Sequence, residues 1–275
     1  MSTQRSERLF LSVVVPAYNE EDRLPATLNA VWDYLSRHSR SFEIIVVDDG
    51  STDRTSLVAG QFCRQRGNCR LLKNPVNGGK GFSIKRGISC AEGEFILFSD
   101  ADLSTPIEEV EKLLPALRNG SCDIAIASRA EKDSIIRVPQ PWFRSLMGKF
   151  FNVLVRLLAT KGIGDTQCGF KCFKRDVAKR VFKQQRLTRF GFDVEILYIA
   201  QKAGYVIQEF PIRWINSPDS RVRVLRDSFN MFCDLWRIRW NDWKGCYETA
   251  RKYRSNGREE CDVPGSAGRL KKHPR

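Results

Sequence analysis

The chain has 275 residues, enough for one large α/β domain and short for two, and carries 46 Lys and Arg against 32 Asp and Glu, a net charge of +14. That balance calls for an anionic partner: nucleotide phosphates, an acidic membrane surface or nucleic acid. No apolar stretch approaches the roughly 20 residues of a membrane-crossing helix. The longest, 150–159, is broken by Arg156, and Met1–Arg8 is too polar for a signal peptide, so any membrane contact is expected to be peripheral.

From the N-terminus, short β-branched runs alternate with amphipathic stretches, the mark of a parallel α/β sheet. Strands are expected at 11–15, 42–47, 69–73, 95–98 and 122–127, with helices at 21–37, 55–66, 79–90 and 107–119. Beyond Arg129 come a basic aromatic helix (142–160), a turn (162–169), a strand (170–173), a helix (192–203) and strands over 205–213, where Pro211 points to an edge or bend. A last amphipathic helix, 224–247, sets Phe229, Phe232, Trp236, Trp240 and Trp243 among Arg and Lys. We therefore expect one domain over 9–247, with a nucleotide-binding half (9–129) and an acceptor half (130–247). The tail, 248–275, is basic and polar, and disorder is expected there. The nine cysteines (Cys63, Cys69, Cys90, Cys122, Cys168, Cys172, Cys233, Cys246, Cys261) follow no repeated spacing, which suits reduced structural thiols. With no C-x-x-C and only His38 and His273, a zinc site is not expected.

Chemistry gathers at the strand ends. Pro16-Ala17-Tyr18-Asn19-Glu20-Glu21 offers an aromatic that can stack on a base and a carboxylate that can accept from ribose, or else a cap in which Asn19 and the glutamates open a helix. Asp48 and Asp49 repeat the geometry one βα unit later, where a carboxylate can accept from the imide N–H of a base. Capping by Ser51 or Asp53 accounts poorly for these two, because they precede the cap. Asn77-Gly78-Gly79-Lys80-Gly81 either aims backbone N–H groups and a Lys at phosphate or is a plain turn; it lacks the Walker spacing. Asp100 and Asp102 directly follow the apolar run 95–98, at a sheet edge where open α/β sheets bind ligands. Paired carboxylates suit Mg²⁺ or Mn²⁺, which complete their shells with substrate phosphates, although a D-x-D pair by itself is equally a solvated turn.

Taken together, these strand ends resemble the family 2 glycosyltransferases of GT-A fold. Within them the chain is similar to the polyprenyl-phosphate sugar synthases, above all the dolichyl-phosphate β-glucosyltransferase branch. The resemblance runs from about Leu11 to Arg239 and is carried by VVVPAYNEEDRLP (13–25), EIIVVDDGSTDRT (43–55), NPVNGGKGFSIKRG (74–87), FSDADLSTP (98–106), IASRA (126–130), GDTQCGFKCF (164–173), FDVEILYIAQKAGY (192–205) and RVRVLRDSFNMFCDLWRIR (221–239). It implies a Rossmann-like, mainly parallel sheet flanked by helices, with C-terminal amphipathic helices. It also implies a nucleotide-sugar site of Pro16, Ala17, Tyr18, Glu20, Asp48, Asp49, Lys80 and Asp100, with Mg²⁺ or Mn²⁺ on Asp100 and Asp102. Asp102, Arg129 and Asp165 would be catalytic: Arg129 near the phosphates, and Asp165 orienting acceptor or sugar hydroxyls or serving as base. Ser104 follows the D-x-D motif where some relatives carry Gln. The implied reaction is inverting transfer of glucose from UDP-glucose to a dolichyl or polyprenyl phosphate, at the cytoplasmic face of a membrane.

Four other readings remain open at this stage. Two keep the chemistry and change a substrate: GDP-mannose as donor, or a saccharide as acceptor. A nucleotidyltransferase would use the same aspartates but release pyrophosphate. A basic nucleic-acid-binding module would account for the charge but leave the acidic strand ends unexplained, and no such motif is present. Oligomeric state is not legible.

Overall fold

The computed structural model describes residues 9–38, 41–136, 155, 159–215 and 224–248, with backbone alone for 224–229. Most of the expected 142–160 helix and the tail beyond Glu248 lie outside the described residues. Seven strands form one sheet in the order β3-β2-β1-β4-β7-β5-β8. They are β1 (Leu11–Ala17), β2 (Phe42–Asp48), β3 (Cys69–Lys73), β4 (Phe95–Ser99), β5 (Ile124–Ser128), β7 (Phe170–Lys174) and β8 (Ile207–Pro211). A two-stranded ribbon pairs β6 (Ile135–Ile136) with β9 (Arg213–Trp214). The helices are α1 (Leu24–His38), α2 (Thr55–Arg64), α3 (Lys80–Cys90), α4 (Val110–Arg118, entered through a 3₁₀ turn at Ile107–Glu109), α5 (Arg175–Gln184), α6 (Phe192–Lys202) and α7 (Val224–Trp243).

Two features of the topology position the site. The chain runs outward from β1 through β2 to β3, then returns to lay β4 on the other side of β1, all in parallel register. The carboxyl ends of β1 and β4 therefore flank the point where strand order reverses, the position of the ligand crevice in open α/β sheets. Further out, β7 enters antiparallel between β4 and β5, setting Phe170 opposite Ser99 and Lys171 opposite Phe98. The segment just before β7 is thereby brought to the carboxyl end of β4.

Strand side chains alternate between two apolar layers, as the two-residue period requires. Val13, Val15, Ile44, Val46 and Leu97 pack against α1, α2 and α4, while Val14, Ile45, Val47, Ile96 and Phe98 pack against α3, α5, α6 and α7. Burial on both faces is the reason the central strands read as continuous apolar runs. Pro211, which has no N–H to donate, ends β8 at the sheet edge.

The main departures from the sequence reading are α5, which was not anticipated, and the cysteines. Cys63 and Cys69 form a disulfide between the end of α2 and the start of β3, correcting the expectation of reduced thiols at those two positions. Cys90, Cys122, Cys168, Cys172, Cys233 and Cys246 are free. No helix among the described residues is long and apolar enough to cross a membrane.

Candidate active site

At the end of β1 the loop Tyr18–Arg23 is sewn to the loop that follows β2. Asn19 N–H donates to Ser51 Oγ (2.9 Å), Glu20 N–H to Thr55 Oγ1 (2.7 Å) and Glu21 N–H to Asp53 Oδ2 (3.3 Å), while Asn19 Oδ1 accepts from Thr52 N–H (2.8 Å). These capping-type residues thus fix two loops against each other, with Asn19 at a left-handed φ of 54° that Asn tolerates. Tyr18 stands 40% exposed at the mouth, behind Pro16 and the buried Ala17 at the end of β1. The Glu20 carboxylate lies on Arg23, whose NH2 and Nε donate at 2.7 and 2.8 Å.

The two acids after β2 differ in their work. Asp49 accepts from Asn74 Nδ2 (2.7 Å), Gly78 N–H (2.9 Å) and Gly79 N–H (2.8 Å), so it anchors the glycine turn and the start of α3. Those N–H groups therefore face a protein carboxylate, which favours the structural reading of the turn; Lys80 alone extends from it into the crevice. Gly79 has φ +96° and lies against the Thr188 carbonyl, a position no side chain fits. Asp48 accepts only one of these loop contacts, from Ser51 N–H at 3.1 Å.

The D-x-D turn is fixed by one contact from α1 and by its own local geometry. Thr27 of α1 donates to the carbonyl of the buried Ala101 (2.5 Å), Ser104 N–H donates to Asp102 Oδ1 (2.9 Å), and Leu103 takes the left-handed φ of 48°. Asp100 points into the crevice, where its Oδ1 meets Lys80 Nζ at 2.6 Å. Behind it lies Gly169, delivered by β7: a β-carbon there would overlap the Asp100 carboxylate. Burial works against the Lys80 charge, but Asp100 and, farther away, Asp193 and Asp102 outweigh it and hold the ammonium above its ordinary value.

The opposite wall carries Arg129, just past β5. Its Nε and NH2 donate to Asp165 Oδ2 and Oδ1 at 2.7 and 2.9 Å, its backbone N–H to Oδ2 at 3.0 Å, and Gln167 N–H reaches Oδ1 at 3.3 Å. Burial opposes the Asp165 charge, yet Arg129 prevails and keeps its carboxyl below the usual range. Burial likewise opposes the Arg129 charge and is outweighed by Asp165, while the guanidinium lies over the Trp214 ring at 5.4 Å. A buried carboxylate with four donors is a poor proton acceptor and a good clamp. The loop before it is fixed by Glu209 of β8, which accepts from Gly164 N–H (2.6 Å) and Asp165 N–H (2.9 Å).

Sequence reasoning gave no role to Lys171 and Asp193. Lys171 is fully buried within β7; its Nζ donates to Asp193 Oδ1 and to the Cys168 carbonyl, both at 2.6 Å, beneath the Phe98 ring. The Asp193 carboxyl is raised by burial, against the pull of Lys171 and Lys80. Burial and Asp165 push the Cys168 thiol up to about 11, so it stays protonated. The available signal was a lone Lys in an otherwise apolar strand, which demands a buried partner.

The structure thus brings Lys80, Asp100, Asp102, Arg129 and Asp165 around one crevice, with Tyr18, Glu20, Asp48 and Asp49 along its β1–β2 flank. Among the described residues no group of three or more His, Cys, Asp or Glu forms a ready-made metal cage.

Comparison with known proteins bears on this arrangement. The profile of the family described as "Glycosyl transferase family 2" matches residues 12–182. Homo sapiens dolichyl-phosphate beta-glucosyltransferase is 40% identical over 260 residues, covering 90% of this chain and 80% of its own. The Dictyostelium discoideum protein of the same name is 37% identical over 253 residues, with 88% and 77% covered. Among solved structures, glucosyl-3-phosphoglycerate synthase from Mycobacterium tuberculosis, in complex with Mn²⁺, UDP and glucosyl-3-phosphoglycerate, superposes with a TM-score of 0.62 at 18% identity over 84% of this chain and 80% of that one. At that identity the likeness is one of fold, which here is GT-A.

Proposed function

From the premise that the chain belongs to glycosyl transferase family 2, we propose that it transfers glucose from UDP-glucose to a dolichyl or polyprenyl phosphate, inverting the anomeric centre. The observation that carries this is the meeting, at the switch point of the sheet, of a carboxylate pair with two cations, Lys80 and Arg129, each oriented by a protein carboxylate. A leaving diphosphate requires such a place.

The donor set fits Mg²⁺ or Mn²⁺: Asp100 and Asp102 are hard oxygen donors, and the Lys80 ammonium already rests on Asp100 as a cation would. An ion held by Asp100 and Asp102 would supply positive charge against the charge building on the diphosphate. The protein's own groups do the rest. Tyr18 and Asp48, with Pro16 and Ala17 as floor, receive the nucleobase. Glu20 faces the ribose, and Asp49 holds the loop that presents Lys80. As the C1–oxygen bond breaks, its electron pair passes to the β-phosphate, and the charge is stabilised by Arg129, which Asp165 fixes beforehand, and by Lys80. The lipid phosphate oxygen forms the new bond from the opposite face. With a second pKa of about 6 that phosphate is already largely a dianion, so no strong base is needed. Asp165 accordingly positions Arg129 and is not itself a base. We read 9–247 as one catalytic domain, since β7 completes the sheet that β1–β5 begin.

A lipid acceptor also suits α7. Its spacing turns Leu235 and Ile238 into the core and leaves Phe232, Trp236, Trp240 and Trp243 as an exposed stripe. Lys244 lies over the Trp240 ring, and Arg237 and Arg239 stand beside the stripe. Indoles flanked by cations match an anionic bilayer interface, and we place peripheral docking at the cytoplasmic face of a membrane on this stripe.

The test incubates the protein with Mn²⁺, dolichyl phosphate and either UDP-[¹⁴C]glucose or GDP-[¹⁴C]mannose. Label from the glucose donor should enter the organic phase with release of UDP. Preference for GDP-mannose, or label that stays aqueous, overturns the assignment. A Trp236→Ser, Trp240→Ser, Trp243→Ser triple variant should no longer sediment with phosphatidylserine vesicles.

A further inference from the structure

One cation already stands against the carboxylate pair, and both of its attachments are fixed by backbone. Asp100 is backed by Gly169, which leaves its carboxylate no room to retreat toward β7. Lys80 is the first residue of α3, and the turn before it is pinned by Asp49 through Gly78 and Gly79. The four-carbon stem of Lys80 is its one flexible attachment, carrying a compact charge that rests 2.6 Å from Asp100 Oδ1. With Oδ2 turned toward Gly169, Oδ1 is the oxygen that meets the ammonium, and a divalent ion approaching it competes with that ammonium and is repelled by it. A diphosphate entering the crevice offers the ammonium a second anionic partner.

We infer that Lys80 is a tethered competitor for the metal position: it occupies Asp100 until a nucleoside diphosphate draws the ammonium away, so that metal binding waits on nucleotide binding. The inference rests on the reading of Asp100 and Asp102 as the metal pair. Lys80 then has two successive tasks, holding Asp100 in place while the site is empty and holding phosphate once it is filled. Coupling of this kind is reciprocal: the factor by which UDP strengthens Mn²⁺ equals the factor by which Mn²⁺ strengthens UDP.

The experiment measures binding, not turnover. Free Mn²⁺ is followed by electron paramagnetic resonance, with and without saturating UDP, in the wild type, Lys80→Met, Lys80→Gln and Asp102→Ala. Thermal unfolding of each variant confirms that it is folded. Without UDP, both Lys80 variants should bind Mn²⁺ about tenfold more tightly than the wild type, within the usual range of coupling between sites. The strengthening by UDP should shrink by a similar factor, and UDP alone should bind less tightly. If Lys80 only binds phosphate, Mn²⁺ alone will bind the variants no better than the wild type, and the inference is overturned while the metal pair stands. If Asp102→Ala binds Mn²⁺ in the presence of UDP as the wild type does, the metal pair itself is wrong and the inference falls with it.

Discussion

The two flanks of the crevice are built from different interactions. On the β1–β2 flank, loops are joined by hydrogen bonds between backbone N–H groups and short side chains, as in Asn19 to Ser51 and Glu20 to Thr55. On the β7 flank the joints are ion pairs with little or no exposure of the carboxylate, Lys171–Asp193 and Arg129–Asp165. Joints made by backbone N–H groups fix the loops at small cost. Buried ion pairs carry a desolvation penalty, and what they provide is charge oriented before the substrate arrives. Changes on the first flank should therefore act mainly on donor binding, and changes on the second on stability and transfer together.

The sharpest test of that division is Gly169→Ala. Its β-carbon overlaps the Asp100 carboxylate, so initial rates of transfer should fall about a thousandfold, the scale of losing a preorganised charged group. Gly67→Ala, where a β-carbon meets nothing within 4 Å, should leave the rate unchanged. Equal losses in the two variants would dissolve the distinction.

Next in size is Lys171→Met, which strands Asp193 in a dry interior. Urea unfolding should register a loss of about 3–5 kcal/mol, against about 1 kcal/mol for Ser51→Ala on the other flank. The double variant Lys171→Met, Asp193→Leu should recover much of the stability but none of the transfer. A stable single variant would show that the β7 pair contributes less than its burial implies.

The smallest effect is pH-dependent. Because the folded Asp165 carboxyl titrates below its ordinary 3.8, its contribution is complete above that value and is lost as pH falls through the folded one. Urea midpoints of wild type and Asp165→Asn should thus differ at pH 6 and draw together as the pH is lowered below 3.8, where other carboxylates also protonate. A gap that persists at low pH would mean that the clamp on Arg129 does not depend on charge.

The same contrast marks what was legible in the sequence. Local patterns located β1 to β5, the helices between them and every acid at a strand end, since each is written in a run of a few residues. The D-x-D pair and Lys80 were named from local pattern, whereas Arg129 and Asp165 were named only through the family resemblance. What local pattern did not show was how distant segments meet. Nothing in Phe170–Lys174 by itself says that it runs antiparallel between β4 and β5, so Gly169 gave no hint of touching Asp100. Lys171 and Asp193, 22 residues apart, needed the sheet before they could be paired. The unanticipated α5 is a different case. Its apolar Val177, Ala178, Val181 and Phe182 follow helical spacing, and the signal was there to be read. Asp49 shows the converse: its position at a strand end suggested a ligand contact, and only the turn of Gly78 and Gly79 revealed its structural work.

The insertion of β7 also dictates an order of assembly on the ribosome. β4 and β5 are synthesised early but are not neighbours; each waits with a bare edge for the strand that will lie between them, and everything from Arg129 to Gly169 must emerge first. A nascent chain paused in that interval holds Asp100 without its Gly169 backing and offers the edges of β4 and β5 to any passing strand. When Phe170–Lys174 slides home it covers the edge of β4 and backs Asp100 in one event, and the second edge of β5 closes only when Ile207–Pro211 follows.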